Sequence, residues 1–89
     1  MKKFAFIGAG SFIFTRNLVR DLLSFPAFAD CELALMDTDP ERLERITAAV
    51  RKISAAMGTH ATITPTQSRA EALSGADGVL CTVFNGGID

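Results

Sequence analysis

Apolar and polar positions follow two alternating rhythms along this chain. Lys3 to Ile7 is a short, nearly unbroken apolar run, the pattern of a strand buried on both faces of a parallel sheet. Ser11 to Ser24 carries apolar residues at helical spacing, with Phe14, Leu18, Leu22 and neighbouring apolar residues predicted on one side. Phe25-Pro26 ends that helix, because the residue before a proline is pushed out of the helical region. Glu32 to Met36 is a second apolar strand. Asp37-Thr38-Asp39-Pro40 then opens a second helix, with proline in its first turn. Two caps compete there: Asp39 directly before Pro40, or Thr38 with Glu41 three residues on as a capping box. Leu43, Ile46, Val50, Ile53 and Met57 form that helix's apolar stripe, which reads as core packing, and Gly58 stops it. Ala61 to Thr64 is a short β-branched strand, and Pro65 near its end suits a sheet edge. Ser68 to Leu73 forms a brief helix. Gly75-Ala76-Asp77-Gly78 turns into a fourth strand, Val79 to Val83.

Strands that alternate with helices imply a parallel sheet with right-handed crossovers. The fold class expected is α/β, a Rossmann-like parallel sheet with flanking helices, in its N-terminal half, with strand order 3-2-1-4. A full doubly wound sheet needs further strands beside the fourth, which would otherwise be an apolar edge. The expectation is therefore that residues 1–89 are a partial dinucleotide-binding domain, a fragment of a longer enzyme. No internal repeat, linker or low-complexity tract interrupts the pattern.

Composition narrows the classes. The 89 residues are 48% apolar and 21% charged, which is globular rather than disordered. A chain of this size buries only roughly 60% of its unfolded surface. A net charge of -1 gives no electrostatic reason to expect nucleic acid or an anionic membrane as partner. No apolar run approaches the roughly 18 residues of a membrane helix. The N-terminus lacks a small-residue cleavage site, so no signal peptide is read and a cytoplasmic location is expected. Cys31 and Cys81 stand in no metal-ligand spacing and read as buried or half-buried thiols in a reducing compartment. His60, the one histidine, lies in a Gly-Thr-His-Ala turn and reads as a solvated loop residue.

The candidate chemistry lies where the first strand becomes the first helix. A helix start leaves backbone N–H groups unpaired, and the peptide dipoles converge there as partial positive charge. Gly8-Ala9-Gly10-Ser11 at such a junction is a phosphate site, because a Cβ at the second glycine would hold a pyrophosphate off the backbone. The full glycine fingerprint is incomplete: Ile13 occupies the position of its third glycine, which implies a slightly different seat for the helix on the strand. Context supplies the rest, since an acidic residue, Asp37, ends the second strand. Its carboxylate can accept the hydroxyls of an adenosine ribose and would repel a 2′-phosphate, favouring NAD over NADP. The loop Phe25 to Asp30 accounts for a spacing longer than the usual ~20 residues. Ser11 can cap the helix, touch phosphate, or both. Asp39 reads as a cap, and Arg42 either as a solvated first-turn side chain or as a group that lies over the adenine. Asn85, Gly86 and Gly87 follow the fourth strand and suit backbone contact with pyrophosphate or the nicotinamide ribose. No nucleophile-base pair, carboxylate pair or metal cluster is visible, so the chemistry must come from residues beyond 89, or there is none.

Several stretches together resemble the N-terminal segment of family 4 glycoside hydrolases: Gly-Ala-Gly-Ser at 8 to 11, Asn17-Leu18 with Asp21-Leu22-Leu23, Ala-Leu-Met-Asp-Thr-Asp-Pro-Glu-Arg-Leu at 34 to 43, and Glu71-Ala72-Leu73 with Gly75-Ala76-Asp77. The subgroup most resembled holds α-galactosidases, α-glucosidases, α-glucuronidases and α-galacturonidases. The resemblance covers essentially the whole chain. It implies an NAD-dependent hydrolase outside the two-carboxylate scheme. In that chemistry sugar C3 is transiently oxidised, the C2 proton is removed, the aglycone leaves by elimination, and water and hydride are then returned. A divalent metal, manganese, would polarise the sugar oxygens through ligands outside this segment. The resemblance places Gly8, Gly10 and Ser11, with Phe12 beside them, at the cofactor phosphates, Asp37 at the ribose, and Asn85 and Gly86 beside the nicotinamide half. It assigns no metal or catalytic role to Cys31, Cys81 or His60. It also implies a homo-oligomeric, cytoplasmic parent enzyme acting on a carbohydrate. A malate- or lactate-type dehydrogenase half-domain and a non-catalytic NAD-sensing domain remain the alternatives.

Overall fold

The computed structural model describes residues 2–81. Within them the order is β1 (Lys3–Ile7), α1 (Phe12–Leu23), a short 3-10 turn at Pro26–Phe28, β2 (Glu32–Met36), α2 (Pro40–Ala56), β3 (Thr62–Thr66), α3 (Arg69–Leu73) and β4 (Gly78–Cys81). The four strands form one sheet in the order β3-β2-β1-β4, with every pairing parallel, as the alternating pattern predicts. Pro65 lies in β3 at the sheet edge, where a missing backbone donor is tolerated.

The helices divide between the two faces. Phe6, Leu33 and Leu35 of the sheet pack with Val19 and Leu23 of α1 and with Leu43, Ile46 and Val50 of α2. On the other face Ala5, Ala34 and Met36 meet Ala72 of α3. Small side chains there let a five-residue helix lie close to the sheet. The 3-10 turn closes one end of the core, with the Phe28 ring edge-on to Phe4 at 5.1 Å between centroids. It occupies the stretch that lengthens the path from Gly10 to Asp37.

The structure corrects the sequence reading at α1 and Cys81, and it decides between the two caps offered for α2. The buried face of α1 is Thr15, Val19 and Leu23, while Leu18 and Leu22 are half-buried and Phe14 is exposed, so the helix is turned by about one residue. Thr15 makes this possible, because its hydroxyl donates to the Ala9 carbonyl at 2.8 Å and so enters the core with its polar atom paired. The cap of α2 is Asp39, whose carboxylate accepts the Glu41 and Arg42 N–H groups, rather than Thr38. Cys31 is buried, and burial pushes its thiol up, but Cys81 is exposed on β4. The predicted Thr82 and Val83 of the fourth strand lie outside the described residues.

Candidate functional site

In-register pairing brings the site together. Ile7 of β1 pairs with Met36 of β2, and Met36 pairs with Thr66 of β3. All three strands therefore end at one level. Gly8 and Asp37 leave the sheet side by side, at the carboxyl ends of the strands where open α/β sheets take ligands.

The loop after β1 is held by its neighbour. The N–H groups of Gly8 and Ala9 both donate to the Met36 carbonyl, at 2.9 and 2.8 Å. The Ser11 N–H donates back to the Gly8 carbonyl at 3.1 Å, closing a tight turn for which Gly8 adopts a φ of 79°. The Gly10 N–H donates to Asp37 Oδ2 at 2.8 Å. The four amides from Gly8 to Ser11 thus have partners inside the protein. The donors that remain are those of the first turn of α1, beginning at Phe12, which have no acceptor within the helix. Ser11 makes no side-chain cap to them. The phosphate-type donor set is therefore the Ser11 hydroxyl with the Phe12, Ile13 and Phe14 amides, at the positive end of a 12-residue helix.

Gly10 has a second reason to lack a side chain. A Cβ there would run into Asp37 Oδ2 and come within 2.9 Å of the Arg42 Cβ. Only the ligand-approach reason is legible in the sequence, since the carboxylate that crosses to this loop sits in a distant part of the chain.

Asp37 is 7% exposed and bridges two connections. While Oδ2 takes the Gly10 N–H, Oδ1 takes the Asp39 N–H at 2.8 Å. Each carboxylate oxygen can accept more than one hydrogen bond, so lone pairs remain for a ligand. Asp39 in turn caps α2, and the Arg42 N–H donating to it is the largest of the effects that hold its carboxyl below the ordinary value of 3.8.

A cleft of about 470 Å³ opens over this junction, lined among others by Gly8, Ser11, Asp37, Thr38, Arg42 and Arg69. That volume is within the range of small-molecule sites. Sequence reasoning missed Arg69. A lone arginine after an edge strand carries no motif, and only the parallel register brings it to the cleft. Phe12 is 40% exposed, with the Arg16 guanidinium 5.5 Å from its ring centre. Ile13 is 72% exposed and points away from the strand, so it does not disturb the helix seat. His60 is exposed, as its turn predicts. Asn85 and Gly86 lie outside the described residues. Among the described residues no group of three or more His, Cys, Asp or Glu side chains could hold a metal ion.

The class of unit is an α/β one, a Rossmann-like parallel sheet with a cleft at the carboxyl ends of its strands. The sequence model described as family 4 glycosyl hydrolase matches residues 3–89, and the chain belongs to that family. It is 38% identical over 87 residues to an alpha-galactosidase of Rhizobium meliloti (strain 1021), covering 98% of this chain and 18% of that protein. It is 36% identical over 87 residues to an alpha-galactosidase of Bacillus subtilis (strain 168), covering 98% of this chain and 20% of that protein. The chain thus spans about a fifth of the length of these relatives.

Proposed function

We propose that this chain is the NAD-binding segment of an enzyme that cleaves α-glycosides, with α-galactosides the first substrates to assay. Family membership supports the glycosidase, and the names of the two relatives support the galactoside. It also weighs against the malate- or lactate-type dehydrogenase and the non-catalytic sensor. One observation carries the cofactor reading: Asp37 lies in the cleft with each carboxylate oxygen already fixed by a backbone N–H, so its remaining lone pairs are aimed before any ligand arrives.

Each residue then has a task. The Ser11 hydroxyl and the first-turn amides from Phe12 hold the diphosphate. Gly8 and Gly10 keep the loop low enough for that approach. Asp37 accepts the ribose hydroxyls of the adenosine half and repels a 2′-phosphate, so NAD is preferred to NADP. When bound, the nicotinamide supplies a reversible hydride acceptor for sugar C3, which acidifies the C2 proton for elimination. Asn85 and Gly86 belong to the same proposal, beside the nicotinamide half. Manganese, homo-oligomerisation and a cytoplasmic location are proposed for the parent enzyme, with the metal's ligands outside residues 1–89.

The test is hydrolysis of an aryl α-galactoside in D₂O by the family-length protein, with the released sugar analysed for isotope. NAD-dependent turnover with deuterium at C2 is expected, since a two-carboxylate hydrolase leaves the C2–H bond intact. Turnover without NAD and without C2 exchange would overturn the proposal.

A further inference from the structure

The Asp37 cleft includes two cations to which the reading above gives no task. Arg42 is the third residue of α2, and Arg69 is the first residue of α3. Arg42 is only loosely held, with Nε 3.4 Å from Asp39 Oδ2. Among the described residues Arg69 has no carboxylate partner. Its backbone, by contrast, is firmly placed. The Ser68 N–H donates to Thr66 Oγ1 at 3.0 Å, and Ser68 Oγ accepts the Glu71 N–H at 3.2 Å, so α3 is capped without help from Arg69. The Gln67 side chain donates to the Thr38 carbonyl at 3.0 Å, which ties the Arg69 connection to the Asp37 connection. Arg69 therefore has an anchored stem and an unengaged head, on a wall fixed relative to Asp37.

A guanidinium is planar and weakly hydrated, and it stacks on aromatic faces. The ligand group that adjoins an Asp37-bound ribose and offers such a face is a purine. We propose that Arg69, with Arg42 as a second wall, determines specificity at the adenine end of the cleft: its guanidinium lies flat on the base whose ribose Asp37 holds. This rests on the NAD reading of the same cleft.

The experiment uses the family-length protein freed of nucleotide and varies NAD, with ADP-ribose as competitor. Arg69→Ala is expected to raise the NAD concentration at half-maximal activity about three- to thirtyfold, the range of a cation stacked on a ring. The inhibition constant of ADP-ribose should rise in parallel, and kcat at saturating NAD should stay unchanged. Arg69→Lys keeps the charge without the plane and should remain near the alanine variant. Full recovery in Arg69→Lys would make Arg69 a point charge on phosphate and overturn the stacking. Unchanged NAD and ADP-ribose constants in Arg69→Ala would overturn it as well, as would an equal fall in kcat in Arg69→Ala and Arg69→Gln. A wild-type protein that binds neither ligand would remove the NAD reading and this inference together. Wild-type binding with an indifferent Arg69 would remove the inference alone.

Discussion

At the scale of single residues, Asp37 joins two connections that are far apart in sequence. Its two oxygens hold the Gly10 and Asp39 amides, both at 2.8 Å. Asp37→Asn replaces one of those acceptors by a donor and leaves one backbone N–H facing an NH₂ group. The variant should lose about 1–3 kcal/mol of NAD binding, the scale of a polar group left unpaired. Calorimetric titration of the family-length protein checks this, and an unchanged dissociation constant would remove Asp37 from the site. Proximity of Gly8, Gly10, Ser11 and Asp37 was legible in the sequence, because glycines after one strand and an acid after the next need only parallel pairing to meet. The Gly10–Asp37 hydrogen bond was not legible. Spacing places two chain segments near each other but does not say which atom points at which. Arg69 was invisible for a related reason: its significance depends wholly on the register between β2 and β3.

At the scale of elements, β1 and β2 form where the apolar runs predict, with the same bounds. Burial on both faces leaves little choice of conformation for such runs. The seat of α1 was harder to read, because Thr15 counts as polar in a hydropathy pattern while its hydroxyl is satisfied by the Ala9 carbonyl. β3 runs from Thr62 to Thr66, past the predicted end at Thr64, since an edge strand accommodates Pro65 within its length. The start of α2 leads to a pH prediction. The Asp39 carboxyl is held below 3.8, chiefly by the Arg42 N–H that donates to it. A pKa lowered by folding means a contribution fully present above the ordinary carboxylate value and lost as pH falls through the lowered one. Thermal midpoints of wild type and Asp39→Ala should therefore differ by a constant amount near neutrality. The gap should narrow below roughly pH 4 as the cap is protonated. A gap that persists undiminished in strong acid would show that the charged cap is not its source.

At the scale of the whole molecule, the sheet is a device for alignment. Three strands end at one level, and the connections that leave them supply a helix start, a bridging carboxylate and two guanidiniums to one cleft. Alternation and crossover rules give the parallel sheet, and the order 3-2-1-4 is the one expected of a Rossmann half, which the glycine junction after β1 and the acid after β2 suggest. The most direct measurement is a crystal structure of the family-length protein soaked with NAD. The diphosphate is expected against Ser11 Oγ and the Phe12 amide, with the adenosine ribose on Asp37. Density for the nucleotide away from the ends of β1 and β2, or a ribose without contact to Asp37, would contradict it.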